Sequence, residues 1–121
     1  MKEFVCCEAG EGKFRILARA LRCGDDLCVA VCGGEKHHVG AVSLGQYEPE
    51  RASATVSTVT VHTHRDDAVS ARFAKAIASA CRCAVTVTAG IHVDDAGESE
   101  LSVLSENCEE CLRALLRALE E

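Results

Sequence analysis

The chain of 121 residues has no tryptophan, one tyrosine and three phenylalanines, so few rings are available to stack against a nucleobase or another flat ligand. It also lacks an excess of basic residues, because 13 Lys and Arg face 19 Asp and Glu for a formal net charge of −6. Binding to a phosphate backbone depends on a basic surface. We therefore expect no nucleic-acid partner.

Long apolar runs are missing as well, and the amino-terminal sequence MKEFVCCEAGEGK places acids where a secretory signal carries its apolar segment. We expect no membrane association and a cytoplasmic protein. Nine cysteines are nevertheless present, an odd number that does not suit a disulfide framework. We predict reduced thiols, mostly buried by packing, and no structural zinc.

The length suits a single domain over residues 1–121. Its first sixty residues alternate β-rich runs with turns, and a further β-rich run lies between two helical stretches. The predicted strands are Glu3–Cys7, Lys13–Arg22, Leu27–Cys32, Val39–Leu44, Thr55–Val61 and Ala84–Thr88. We expect the first five strands to form a meander, with a glycine-rich hairpin after the third and a loop over residues 45–53.

Apolar residues at helical spacing predict two helices. The first begins at a capping Asp66 or Asp67 and runs to about Ala80, and the second spans Glu98–Leu119. The apolar stripe of the first helix is Val69, Phe73, Ile77 and Ala80, and that of the second is Leu101, Leu104, Cys108, Leu112, Leu115 and Leu119. The predicted fold class is α+β, a mostly antiparallel mixed sheet of about six strands with two helices packed on one face.

The order strand, helix, strand in the second half predicts a crossover that leaves two parallel strands ending at one edge of the sheet. If the fourth strand pairs antiparallel with the fifth, its start lies at that same edge. His38, His64 and His92 then lie there together, beside the amino-terminal ends of both helices. We predict that this edge accepts an anion or a phosphate.

The local motifs leave alternatives open. Residues 33–40 could present backbone N–H groups to an anion, but no Gly-x-Gly-x-x-Gly is present and a plain hairpin is equally compatible. The CxxC at Cys108 and Cys111 lies inside the long helix without a second CxxC, so packing is the favoured interpretation.

Histidine spacing allows a metal site. His62 and His64 lie on one side of a strand if that strand continues, and His92 or Asp94 could supply a third ligand. In the simpler interpretation His62 is a solvent-facing strand residue and His64 a loop residue.

Three segments, GGEKHHVGAVSLG, HTHRDD and TAGIHVDDA, resemble a known family. It is the small accessory-subunit family of UbiD-type, gallate-decarboxylase-like systems, described as a prenylated-flavin chaperone domain. The resemblance runs from about Leu27 to the carboxy terminus. His38, His64 and His92 match the family pattern, whereas His37 and His62 depart from it.

The resemblance implies a non-catalytic accessory protein that binds prenylated flavin mononucleotide, or FMN, and delivers it to a UbiD-type aromatic acid decarboxylase. The cofactor-binding residues assigned with it are Gly33, Gly34, His38, Gly40, His64, Arg65, Gly90, His92 and Asp94. A homo-oligomer is also compatible. The alternative function is a small metal-dependent enzyme that uses a histidine cluster.

Overall fold

In the computed structural model, which describes residues 2–61 and 66–121, six strands form one sheet and two helices pack on one of its faces. The strands are β1 (Phe4–Ala9), β2 (Ile16–Cys23), β3 (Asp26–Gly34), β4 (Ala41–Glu48), β5 (Ser53–Thr60) and β6 (Ala84–His92). The helices are α1 (Asp67–Cys81) and α2 (Glu98–Glu120), and short 3₁₀ turns lie at Gly12–Phe14 and Pro49–Arg51. The predicted α+β class is confirmed.

The strand order is β1-β2-β3-β6-β4-β5, so the predicted five-stranded meander is wrong. β1, β2 and β3 are neighbours in chain order, as are β4 and β5, but β6 inserts between β3 and β4. β3 and β6 are parallel, and the other neighbouring pairs are antiparallel. β5 and β6 both pair antiparallel with β4, so they run in the same direction and end at the same edge, as the crossover argument predicts.

Three predicted boundaries change by three residues or more, and the others by one or two. β2 begins at Ile16 rather than Lys13, because the chain first makes the 3₁₀ turn. β4 continues through the predicted loop to Glu48, since Gly45 is needed where the strand passes close to the backbone of α1 rather than for a turn. β6 extends to His92, four residues beyond the prediction.

The core lies between the sheet and the two helices. α1 packs mainly on β4, β5 and β6, whereas α2 packs on β1 and β2. The fully buried side chains include Ile16, Val31, Val85 and Val87 from the sheet, Phe73 and Ile77 from α1, and Leu112 and Leu115 from α2. Ala80 and Leu101 were expected in the apolar stripes, but both are exposed because they lie near the helix ends, beyond the packed contact. No helix in the described ranges is long and apolar enough to cross a membrane.

Candidate functional site

The carboxyl end of β6 lies between the end of β3 and the beginning of β4. Gly34 at the end of β3 is opposite His92, and Ala41 at the start of β4 is opposite Ala89. β6 is therefore flanked at its end by the two chain ends that residues 35–40 must connect.

Residues 35–40 pass over the end of β6 and connect β3 to β4. This segment, here called the crossover, takes the place of the predicted glycine-rich hairpin. The Glu35 N–H donates to the His92 carbonyl oxygen at 2.7 Å, and the Gly40 N–H donates to the Ala89 carbonyl oxygen at 2.8 Å. These two hydrogen bonds hold the crossover against the strand it spans. His38 is thereby placed next to the end of β6.

The predicted glycines of the site allow this close approach. A Cβ on Gly90 would collide with the carbonyl oxygen of His38, and a Cβ on Gly40 would collide with the carboxylate of Asp66. Gly34 has a φ of +77° and lies against the backbone of His92. Gly33 packs against Arg15 and Ile16, on the side of β2. At these positions the absence of a side chain lets neighbouring atoms approach the backbone closely.

Asp66 connects the crossover to β6 and to the start of α1. Its Oδ2 accepts a hydrogen bond from Nε2 of His38 at 2.9 Å, and its Oδ1 accepts one from the Ile91 N–H at 3.0 Å. The Asp66 and His38 side chains are 8% and 16% exposed, so the pair is largely shielded from water. The predicted capping role is wrong, because Asp66 occupies the N-cap position but its side chain makes no capping hydrogen bond.

The ring of His38 has oxygen partners on both sides. Nδ1 lies 3.2 Å from the Lys36 carbonyl oxygen, opposite the contact of Nε2 with Asp66. These two contacts fix the orientation of the imidazole between residues 35–40 and the start of α1.

His92 is more accessible than His38. Its Nε2 lies 2.8 Å from Oδ1 of Asp94, and its side chain is 47% exposed. Asp94 is oriented in turn, because its N–H donates to Oε1 of Glu35 at 2.9 Å. Of His38 and His92, His92 is therefore the accessible imidazole, and its ring is oriented by the contact with Asp94.

A cavity of about 490 Å³ opens between α1, α2 and the end of β6. Its apolar wall consists of Ala68, Val69, Phe73, Ile91, Leu101, Leu104 and Cys108. Its polar residues are Asp66, Arg72, His92, Ser105 and Glu109. The predicted edge thus becomes a concave site with apolar walls and a few polar groups, the usual form of a small-molecule site.

An ion pair joins the two helices at this cavity. Nε and Nη2 of Arg72 donate to the two carboxylate oxygens of Glu109, each at 3.0 Å. The hydrogen bonds from Arg72 hold the pKa of Glu109 below its ordinary value, and those to Glu109 raise the pKa of Arg72. Arg72 is the one lysine or arginine of the described chain that lines the cavity, and it is already paired.

The helix starts are less suited to an anion than the sequence suggests. Asp67 lies in the first turn of α1, and Glu98 and Glu100 lie in the first turn of α2. The Gly97 N–H donates to Oε1 of Glu100 at 3.1 Å, and this hydrogen bond together with the nearby Lys13 lowers the pKa of Glu100. These carboxylates already occupy the positive ends of the helix dipoles.

Three predicted residues, His62, His64 and Arg65, lie outside the described residues. Within residues 2–61 and 66–121, no three His, Cys, Asp or Glu side chains are grouped so that they could hold a metal ion.

The other predicted site residues are described. The structure brings His38, Gly34, Gly40, Gly90, His92 and Asp94 to one edge, and it leaves Gly33 at the side of β2. Sequence reasoning missed Asp66, Arg72 and Glu109, although an acid directly after HTHR is a signal that could have singled out Asp66.

All nine cysteines are free. The CxxC pair packs as expected, since Cys108 and Cys111 are buried and burial raises the pKa of each thiol to about 12. The prediction that most thiols are buried is wrong. Only Cys83, Cys108 and Cys111 are buried, whereas Cys6, Cys23 and Cys28 are exposed, because the second face of the sheet has no helical cover.

The sequence matches a family model, the prenylated flavin chaperone LpdD-like domain, over residues 10–120. The chain belongs to this family. The match extends over nearly the whole chain, including the crossover, both helices and the cavity between them. A prenylated flavin chaperone domain is thus the established family of this protein.

The fold also occurs in a solved structure of distant sequence. A chain from the crystal structure of a novel chaperone complex for yeast 20S proteasome assembly superposes with a TM-score of 0.62, over 98% of this chain and 97% of that one. The two sequences are 13% identical, so this similarity establishes the fold alone. No curated protein matches the sequence.

Proposed function

We propose that this LpdD-like chain binds prenylated FMN in the cavity between α1, α2 and the end of β6. It then delivers the cofactor to a UbiD-type aromatic acid decarboxylase in the cytoplasm and has no catalytic role of its own. The observation that carries the proposal is the cavity of about 490 Å³ at the edge where Asp66 and His92 lie, in a chain of the prenylated flavin chaperone family.

The cavity suits the two chemical parts of such a ligand. Its volume falls within the range of about 300–1,000 Å³ that small-molecule sites occupy. The apolar wall from Val69 to Leu104 would take the prenyl-extended ring system. The Arg72 guanidinium, the His92 imidazole and the Ser105 hydroxyl are hydrogen-bond donors for the phosphate and the ring oxygens.

The same lining favours weak, reversible binding. Phe73 is the single aromatic residue lining the cavity in the described chain, and it is 1% exposed, so little ring surface is available for stacking. Asp66 and Glu109 repel a phosphate, and Glu109 also pairs with Arg72, the one lysine or arginine in the described lining. Because the flavin supplies its chemistry in the decarboxylase, a carrier needs only to hold it and release it.

The proposal can be tested by filling the cavity. Ser105 is an exposed residue of α2 that lines the cavity, whereas Ser102, also exposed, lies on α2 outside the lining. Ser105→Trp should weaken binding of prenylated FMN at least about tenfold, or about 1.4 kcal/mol, while Ser102→Trp should leave it unchanged. Flavin fluorescence measured during titration gives both affinities, and riboflavin in parallel reports the contribution of the phosphate.

Delivery requires a separate measurement. Activation of the cofactor-free decarboxylase by prenylated FMN should be faster with the wild-type chain or Ser102→Trp than with Ser105→Trp. Equal binding by both tryptophan variants would contradict the assigned cavity. Binding without any effect on activation would contradict delivery and leave flavin binding in place.

A further inference from the structure

One ion pair bridges the two helices above the sheet. α1 packs mainly on β4, β5 and β6 and α2 on β1 and β2, so the helices cover different parts of the sheet and the cavity opens between them. Arg72 of α1 and Glu109 of α2 span this gap, and both line the cavity. Within residues 2–61 and 66–121, no other side-chain hydrogen bond joins α1 to α2. The pair therefore lies where a ligand must fit between the helices.

The pair is suited to exchange its carboxylate for another anion. The side chains of Arg72 and Glu109 are 56% and 39% exposed, so this is a surface ion pair, a kind that contributes little to stability. The N–H fork of a guanidinium binds two oxygens of a phosphate as well as the two oxygens of a carboxylate. A phosphomonoester carries a charge of about −1.5 to −2 at neutral pH, which is more than the single charge of a carboxylate. A ligand phosphate can therefore replace Glu109 at Arg72.

A second cation is available to Glu109 on its own helix. Arg113 lies four residues further along α2, the spacing and order at which an acid and a base on one helix pair best. Arg113 is exposed, and it forms no ion pair in the part of the chain that the structure describes. The hydrogen bonds from Arg72 are the main cause of the lowered pKa of Glu109, and the positive charge of Arg113 adds to it. Glu109 thus has one cation across the cavity and a second one turn along α2.

We propose that Glu109 is a two-position carboxylate, paired with Arg72 in the ligand-free chain and with Arg113 when Arg72 holds a ligand phosphate. This exchange makes Glu109 a specificity-determining residue, because a ligand without a phosphate offers Arg72 nothing in place of the carboxylate. Return of Glu109 to Arg72 displaces the phosphate, so the same side chain promotes release. The identity of the phosphomonoester, FMN or its prenylated form, rests on the proposed function, whereas the exchange itself requires only a phosphate.

Side-chain NMR can follow both arginines during a titration with FMN. In the wild type the Nε–H signals of Arg72 and Arg113 should both shift, because each side chain changes its anion. In Glu109→Gln the Arg72 signal should still shift and the Arg113 signal should stay, since the carboxylate that couples them is absent. Riboflavin, which has no phosphate, should leave the Arg113 signal unchanged in both proteins. An equal Arg113 shift with and without Glu109 would overturn the proposal.

A mutant cycle supplies a second readout. Arg113 lies outside the cavity lining, so its effect on FMN affinity should pass through Glu109. Arg113→Gln should weaken FMN binding about twofold, the factor that one ion pair at this spacing contributes, and Arg117→Gln, also exposed on α2, should leave it unchanged. In the Glu109→Gln background Arg113→Gln should have no effect. The same loss in both backgrounds would show that Arg113 acts on the phosphate directly, which contradicts the exchange.

Inorganic phosphate separates this proposal from the flavin site. At millimolar concentration it should produce the same coupled shifts of Arg72 and Arg113 without a flavin ring. Coupled shifts with phosphate, in a chain that does not bind FMN, would contradict the flavin cavity and support the exchange. Binding of FMN with no shift of Arg72 would overturn the exchange and leave the flavin cavity in place.

Discussion

The two faces of one sheet differ in their surroundings, because α1 and α2 pack on one face and no helix of the described chain packs on the other. On the covered face Val29, Val31 and Val87 are at most 4% exposed beneath α1 and α2. On the sheet face opposite the helices, here called the open face, Leu21 and Leu44 are nearly half exposed. The comparison shows that alternation does not always tell which face is buried, since on β4 Val42 and Leu44 lie on the exposed face and Ser43 on the covered one. The ligand cavity belongs to the covered side, between α1, α2 and the end of β6.

The largest expected effect on stability comes from truncating a leucine in the core, compared with truncating a leucine on the open face. Leu112 is 1% exposed in the core, so Leu112→Ala should lower the free energy of unfolding by about 2–5 kcal/mol. Leu44→Ala should change the stability of the single chain by less than about 1 kcal/mol, because the side chain is half exposed. Urea unfolding at low protein concentration measures both, and equal losses would show that the open face is buried even in a single chain.

A smaller effect is expected at the end of β6. Gly90→Ala places a methyl group against the carbonyl oxygen of His38 and should cost about 1–3 kcal/mol. It should also displace the crossover, so the amide exchange of Gly40, whose N–H donates to Ala89, should become faster. The control is Gly97→Ala, where a Cβ meets no atom closer than 3.9 Å. Equal stability of both variants would show that the crossover is not held by this close contact.

Alkaline pH should lower the free energy of unfolding, because two thiols are buried on the covered side of the sheet. Cys108 and Cys111 have pKa values of about 12 in the folded chain against an ordinary value of 9.0. Above pH 9 the unfolded chain loses protons that the folded chain keeps, so stability is intact below about pH 9 and falls as pH rises toward 12, by up to about 1.4 kcal/mol per pH unit and thiol.

Urea unfolding in reductant at about pH 8, 9.5 and 11 follows this loss. Cys108→Ala and Cys111→Ala should flatten the dependence, whereas Cys28→Ala on the open face should not. An equal slope in all three variants would assign the alkaline loss to other groups.

The smallest expected effect concerns the ion pair at the cavity. Glu109→Gln removes a negative charge and releases Arg72 from its bidentate pair, so it should tighten FMN binding about three- to tenfold. Riboflavin has no phosphate, and its affinity should stay nearly constant. Parallel fluorescence titrations measure the difference, and an equal gain for both ligands would place the phosphate away from Arg72.

The sequence predicts which segments form helices and strands and which edge of the sheet carries the site residues. It does not predict which strands lie next to each other. The stripe from Leu104 to Leu119 predicts α2 correctly because each side chain lies on one helical face. β6 lies beside β3 because these two strands pair in the folded chain, and a β-rich segment does not indicate which strand it will pair with. Asp66 is a comparable case, since an acid before a helix has the form of a cap, and its contact with His38 requires the crossover to pass over β6.

Amide NMR during titration with prenylated FMN tests the central claim most directly, because the covered and open faces are observed in one experiment. We expect saturable shifts at Ile91, His92, Leu104 and Ser105 around the cavity, and unchanged amides at Leu21 and Leu44 on the open face. Shifts concentrated on the open face, or none at saturating ligand, would contradict the assignment of the cavity as the flavin site.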